Sequence, residues 1–172
     1  MKPLIFIIIS FLSFTTYGQF DKSLSVITTG NFDFKTKGLN SNDAGFGIGL
    51  DASLFSQHKL QLLLETSVDR FMGDKVGFVD PQGRENKSAL IYILKAGPQF
   101  FILKNIAISS TIGPAWHSIR AIGFTRDFCF KFGVVGFFGD KRRLVTKIFI
   151  VNIPNDNLNI QYFGIGLGYR FF

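Results

Sequence analysis

His117 and Ser118 are the residues whose types most suggest catalysis, because an imidazole can act as the base that activates a hydroxyl nucleophile. They are adjacent in a segment predicted to be a β-strand, where neighbouring side chains point to opposite faces. The two groups therefore cannot easily form the hydrogen bond that activation requires. Ser109 and Thr111 share the face of His117, but even the nearer lies about 20 Å along the strand. We predict no catalytic residue and leave a base from another strand as the open alternative.

Metal, disulfide and nucleic-acid chemistry have little support in the composition. The chain has one cysteine, Cys129, and two histidines, which excludes an intramolecular disulfide and leaves few zinc ligands. The net charge of +7 does not by itself indicate a nucleic-acid-binding protein. No basic strand face has interleaved aromatic residues for base stacking, because the phenylalanines alternate with glycine instead. We expect no metal, no cofactor and no nucleic-acid partner.

Large apolar residues alternate with glycine or polar residues in many segments of the chain. In one of them Phe46, Ile48 and Leu50 share a face, and glycines and Asp51 occupy the other. Eight such segments predict an all-β, eight-stranded, antiparallel, up-and-down transmembrane β-barrel. The predicted strands are residues 23–34, 44–55, 60–72, 88–102, 106–118, 128–138, 143–152 and 158–172.

The connections between these strands alternate in length, as they do in membrane barrels. Two Gly-Pro pairs, at residues 97–98 and 113–114, are predicted to form β-bulges, because proline cannot donate a hydrogen bond to a neighbouring strand. Tight turns are expected at 56–59, 103–105 and 139–142, and longer loops at 35–43, 73–87 and 119–127.

The N-terminal residues have the features of a secretory leader. Lys2 precedes a continuous apolar segment, and the small residue Gly18 is a suitable end point. We predict a signal peptide over residues 1–18 and a single barrel domain over residues 19–172.

The direction of the apolar faces distinguishes a soluble barrel from a membrane barrel. A soluble barrel buries its apolar face, whereas a membrane barrel turns it towards lipid. Here the opposite faces are rich in glycine rather than in the charged residues of a solvated surface, and the strands exceed the usual length of about five or six residues. Aromatic residues also lie near the strand ends, as in membrane-interface girdles. These are Phe71, Trp116, Phe138, Tyr169 and Phe171.

Inward-facing charges are expected to fill the barrel. Eight strands enclose a space just wide enough for side chains, so we predict no open pore. Because buried charges need partners, we predict a lumen charge network that plugs the interior, with a polar conduit as the alternative. Its members are Asp51, Glu65, Asp69, Lys95, Lys131 and Arg170, and the further interior candidates are Asp33, His117 and Lys147. The strand that carries Lys147 is the least regular, because Phe149 and Val151 would share its inner face.

The last strand resembles the terminal strand of small outer-membrane barrels of the OmpX/OmpA type from Gram-negative bacteria. The resemblance rests on Gly164 to Phe171, where glycines alternate with aliphatic and aromatic residues. In that family, barrel assembly machinery reads a final strand that ends in an aromatic residue. The implied assembly signal is Ile165, Leu167, Tyr169 and Phe171. Phe172 adds one residue to the family pattern; a shifted register would turn Arg170 towards lipid, so we expect Arg170 to point inward.

The resemblance specifies the class of protein and leaves the individual function open. We predict a monomeric, non-enzymatic protein of the outer membrane with a structural or surface-interaction role, such as envelope integrity or adhesion. The expected partners are outer-membrane lipid, lipopolysaccharide and the assembly machinery, with loop 73–87 as a contact for a surface partner. Positive charge at the predicted outer rim, where lipopolysaccharide phosphates lie, comes from Lys35, Lys37, Arg120 and Arg126. The alternative interpretation, which the sequence favours, is ordinary solvated loop charge.

Two alternative functions follow from the same residues. Some small outer-membrane barrels modify lipid A with serine and histidine; an enzyme of this type would need a serine, a histidine and a carboxylate on one side of the wall, which strand alternation does not provide. A soluble periplasmic lipocalin-like binder would instead turn the phenylalanine and leucine face inward around a ligand.

Overall fold

The computed structural model describes residues 23–33, 44–57, 59–72, 88–119, 123–154 and 159–171. The predicted signal peptide and the predicted loops 35–43 and 73–87 lie outside these ranges. Within them, no helix is long and apolar enough to cross a membrane.

Eight antiparallel strands close into one barrel, which confirms the predicted fold class. Each strand pairs with the next along the chain, and β1 pairs with β8 to close the sheet. The strands are β1 Ser23–Asp33, β2 Ala44–Gln57, β3 Leu60–Met72, β4 Ser88–Leu103, β5 Ile106–Ile119, β6 Gly123–Phe138, β7 Leu144–Ile153 and β8 Ile160–Arg170. Except at the start of β6, each boundary lies within two residues of its prediction.

The beginning of β6 differs from the prediction. The segment 119–127 was expected to be a loop, but β6 begins at Gly123 and pairs with β5 up to Ile119. Two polar side chains in this extension, Thr125 and Asp127, contact His117 inside the barrel. Polar residues of these types are common in loops, and their composition suggests a turn here. Because their side chains find hydrogen-bond partners inside the barrel, the strand continues through them.

The two Gly-Pro pairs do not form the predicted β-bulges. Pro98 lies opposite Leu62, Pro114 lies opposite Phe128, and the strand register is unchanged on both sides of each proline. The neighbouring glycine explains how the sheet accommodates them. A Cβ atom at Gly113 would collide with the carbonyl oxygen of Leu94, so the two backbones approach more closely than any other residue permits.

The outer surface of the barrel is apolar, and this contradicts the soluble alternative. Large hydrophobic side chains on all eight strands are exposed, for example Ile148 at 61% and Phe132 at 57%. Phe71 is a correction within this pattern, because it was expected in an outer aromatic girdle. It is 6% exposed and packs inside the barrel edge-to-face against Tyr162, with ring centroids 5.0 Å apart.

Candidate functional site in the barrel interior

Glu65 is the centre of a buried cluster of charges. One carboxylate oxygen accepts hydrogen bonds from Lys147 Nζ at 2.7 Å and Lys131 Nζ at 2.9 Å. The other accepts a hydrogen bond from Thr111 Oγ1 at 2.7 Å. Four strands, β3, β5, β6 and β7, thus meet at one carboxylate that is only 2% exposed. Such a buried charge is tolerated because its lone pairs are satisfied by charged and hydroxyl donors.

Lys147 joins a second carboxylate to this cluster. Its ammonium group forms an ion pair with Asp51 as well as with Glu65. Asp51 and Glu65 are directly opposite each other on β2 and β3, so without a shared cation their like charges would repel. Lys147 was predicted on the least regular strand, and the structure places it between the two acids.

Asp69 forms a separate set of contacts on the same inner surface. Its carboxylate accepts hydrogen bonds from Asn31 Nδ2 at 2.7 Å, Tyr162 Oη at 3.0 Å and Ser67 Oγ at 3.1 Å. These donors are neutral, and none of them is among the predicted interior charges. Their positions on inward faces of β1, β8 and β3 are the signal that would have found them.

The remaining two predicted members of the charge network, Lys95 and Arg170, lie at different levels of the interior. Lys95 is 3% exposed and lies directly opposite Glu65 in the β3–β4 pairing. Arg170 lies near the short-turn end, where its guanidinium stacks over the ring of Phe137 at 5.6 Å. Of the six predicted residues, Asp51 and Glu65 therefore meet through Lys147, and Lys131 joins them through Glu65, whereas Arg170 belongs to a different layer. The side chain of Asp33 lies outside the described part of the chain.

Apolar layers lie on both sides of the charged layer. Phe71, Ile91, Phe149 and Tyr162 belong to the larger of them, which also contains Cys129. The other, at the short-turn end, includes Ile27, Val135, Phe137 and Val145. Between them, the charged groups line a cavity of about 20 Å³, which is about the space that one water molecule needs.

His117 contacts two side chains of β6, in a segment that was predicted to be a loop. Its Nε2 atom lies 2.6 Å from Asp127 Oδ2, and Thr125 Oγ1 lies 2.8 Å from its Nδ1 atom and 2.7 Å from Nε2. Ser118 points outward, as strand alternation required. A hydroxyl, a histidine and a carboxylate therefore do cluster, with threonine in place of serine. His117 is only 1% exposed, so the described residues leave no room for a substrate beside its ring.

The residues of the implied assembly signal all point outward from the last strand. Ile165, Leu167 and Tyr169 on β8, followed by Phe171, are between 44% and 55% exposed. Arg143, which directly precedes β7, donates a hydrogen bond to the hydroxyl of Tyr169 at 3.0 Å. The short-turn end of the barrel thus combines aromatic and basic groups, which is typical of the interface between lipid and water.

The apolar outer surface has the height of a bilayer core. On β4, outward-facing residues run from Tyr92 to Ile102, which is roughly 33 Å along a strand. A strand tilt of about 40° reduces this to about 25 Å, the usual height of the lipid-facing band of a membrane barrel. Exposed apolar side chains of this extent are stable against lipid and unstable against water.

Several solved structures of outer-membrane barrels have a similar fold. No family profile and no curated protein matches the sequence. The attachment invasion locus protein Ail of Yersinia pestis is 16% identical, with a TM-score of 0.57 over 87% of this chain and 97% of that chain. Neisserial surface protein A is 13% identical, with a TM-score of 0.61 over 87% and 95%. The N-terminal barrel domain of Pseudomonas aeruginosa OprF is 15% identical, with a TM-score of 0.58 over 89% and 100%.

These identities establish similarity of fold and not of activity. The number of strands, their antiparallel order and the coverage of almost the whole of each neighbour all agree. The apolar belt adds an independent physical argument, because it needs a lipid environment. The chain has the fold of the small eight-stranded outer-membrane β-barrels of the OmpX/OmpA type, and its apolar outer surface fits a barrel surrounded by membrane lipid.

Proposed function

We propose that this protein is a monomeric outer-membrane barrel with a structural or surface-interaction role, and that its filled interior forms no open pore. The observation that carries the proposal is the contrast between the two sides of the wall. Outside is an apolar belt; inside, Lys131 and Lys147 both donate hydrogen bonds to the carboxylate of Glu65 between apolar layers. A wall of this kind anchors loops at the cell surface and contains no continuous polar path for solutes.

The proposed contacts with other molecules lie at the loop end of the barrel. Loop 73–87, outside the described residues, is the segment that we propose for a surface partner in envelope integrity or adhesion. The net charge of +7 favours an anionic partner. One structure of Ail contains the heparin analogue sucrose octasulfate, which supports testing sulfated polysaccharides first. The barrel assembly machinery is the proposed partner of the outward residues of β8.

Heat-modifiability on a gel tests the barrel itself. We expect detergent-extracted protein that has not been boiled to migrate differently from boiled protein, because every strand of a closed barrel is hydrogen-bonded on both sides and resists detergent at room temperature. The same refolded protein should produce no discrete conductance steps in a planar bilayer. Identical migration with and without boiling would contradict the barrel, whereas stable conductance steps would contradict the filled interior alone.

A lipid A-modifying enzyme is the second candidate, and the cluster of His117, Thr125 and Asp127 is the observation that favours it. Burial of the histidine argues against catalysis. We therefore expect His117→Ala to leave the lipid A composition of an expressing strain the same as that given by the unaltered protein. Mass spectrometry of extracted lipid A checks this, with Ser118→Ala as the outward-facing control. A lipid A species that forms with the unaltered protein and disappears in His117→Ala would instead identify an enzyme.

A further inference from the structure

The lipid-facing surface of the barrel carries two charged side chains among the described strand positions that point outward. These are Arg70 on β3 and Arg126 on β6, both exposed and both near the long-loop ends of their strands. The other outward positions of the described strands are apolar, small or uncharged. An arginine on the lipid face costs about 2–4 kcal/mol at the middle of a bilayer and about 0–1 kcal/mol near its surfaces. The two arginines therefore mark the headgroup level of the outer leaflet.

Aromatic side chains accompany Arg126 at this level. Tyr92, Trp116 and Arg126 are directly opposite one another on β4, β5 and β6, and they form a row across three strands. The guanidinium carbon of Arg126 lies 5.7 Å from the centre of the Trp116 ring, which is within cation–π distance. The tryptophan thus holds the arginine against the wall while its hydrogen-bond donors remain exposed.

The position of Arg70 adds a second cation to this surface. Val68 is the β3 partner of Tyr92, and Arg70 is the next outward residue towards the long loops. Three strand spacings, about 14 Å, separate β3 from β6. Among the described residues, no carboxylate forms an ion pair with Arg70 or Arg126, and both side chains are exposed, so an anion can reach either guanidinium group. Lipid A carries a phosphate at each end of its disaccharide headgroup, and guanidinium groups bind phosphate through paired hydrogen bonds.

We propose that Arg70, Tyr92, Trp116 and Arg126 form a binding site for the phosphorylated headgroup of lipid A in the outer leaflet. Arg126 binds one phosphate beside the Trp116 ring, and Arg70 binds the phosphate at the other end of the disaccharide. The inference rests on the proposed location of the barrel in the outer membrane, and it names one lipid partner and the surface that receives it. It assigns a role to the wall itself, in addition to the loops above it.

Trp116 is the single tryptophan of the chain, so its fluorescence reports directly on this surface. The protein should be reconstituted in phosphatidylcholine vesicles and titrated with lipid A without divalent cations. We expect a saturable change in Trp116 emission that dephosphorylated lipid A does not produce. Arg126→Gln should weaken the apparent affinity by about tenfold, consistent with the loss of a charge-assisted hydrogen bond. Arg70→Gln should weaken it in the same direction.

The control variant is Arg143→Gln, which removes the same charge at the short-turn end and should leave the titration unchanged. Each variant must first show the heat-dependent gel shift, so that failure of the barrel is distinguished from failure of the site. An equal response to dephosphorylated lipid A, or an unchanged affinity in both Arg126→Gln and Arg70→Gln, would overturn the proposal. An equal response to phosphatidylglycerol would also overturn it, because the surface would then bind anionic lipids in general.

Discussion

Replacing Lys147 with methionine should destabilise the barrel by about 3–5 kcal/mol, the usual cost of removing one partner from a buried ion pair. The ammonium group lies between Asp51 and Glu65, and the side chain is 4% exposed. Glu65 keeps Lys131 and Thr111 as donors, whereas Asp51 loses the cation that offsets its charge. Reversible urea unfolding in lipid vesicles, followed by Trp116 fluorescence, measures the loss as a lower midpoint at an unchanged slope.

A matched substitution separates the buried contact from the general effect of losing a lysine. Lys104 lies exposed in the turn between β4 and β5, so Lys104→Met should change the stability by no more than about 0.5 kcal/mol. Adding Asp51→Asn to Lys147→Met should recover part of the loss, because the double variant no longer contains the unpaired carboxylate. Equal effects of the two lysine substitutions would show that the interior cluster does not stabilise the barrel.

Strand alternation was enough to predict the faces of the barrel from sequence. It placed Asp51, Glu65 and Lys147 inside and Ile48 outside, because the side-chain period of a strand is fixed at two. Alternation does not determine which inward residues meet across the lumen. That depends on the stagger between strands that are distant in sequence, such as β2 and β7, and on rotamers of long side chains. The shared role of Lys147 could therefore not be predicted.

The start of β6 shows a second limit of the sequence. Thr125 and Asp127 have the composition of a loop, and only their contacts with His117 on β5 keep them in a strand. The same error concealed the row that Arg126 forms with Trp116, since a loop residue has no fixed face. Local composition competes with tertiary hydrogen bonds at such positions, and the tertiary contacts decide the outcome. Two candidate sites, one inside and one outside the wall, depend on this extension.

The interior combines charge with apolar layers for a physical reason. A wholly polar lumen would need a partner for every donor and acceptor, whereas a wholly apolar lumen would leave no specific contacts between distant strands. Glu65 joins four strands through directed hydrogen bonds, and residues such as Phe149 and Val135 fill the space on either side. We infer that the charged layer fixes the arrangement of the strands while the apolar layers exclude solutes.

An arginine in the middle of the outer surface should be far more costly than the same residue at the rim, and this distinguishes lipid from water outside the wall. Phe132 lies on β6 midway between Arg126 and Phe138, and it is 57% exposed. Phe132→Arg should reduce the stability in vesicles by about 2–4 kcal/mol, and Phe128→Arg, nearer the long loops, by about 0–1 kcal/mol. Each value is taken relative to leucine at the same position, which removes the contribution of the lost ring.

The depth dependence is the decisive part of this comparison. Against water, an exposed arginine at either position would change stability by only about 0.5 kcal/mol, and the two sites would be equivalent. Against lipid, the guanidinium of Phe132→Arg must draw water or headgroups into the hydrocarbon, whereas that of Phe128→Arg reaches the headgroups directly. Equal losses at the two positions would therefore contradict a membrane around the barrel. A larger loss of stability at Phe132 than at Phe128 would show that hydrocarbon surrounds the middle of the barrel. It would also place the headgroups near the long loops, at the level where Arg70 and Arg126 are proposed to bind phosphate.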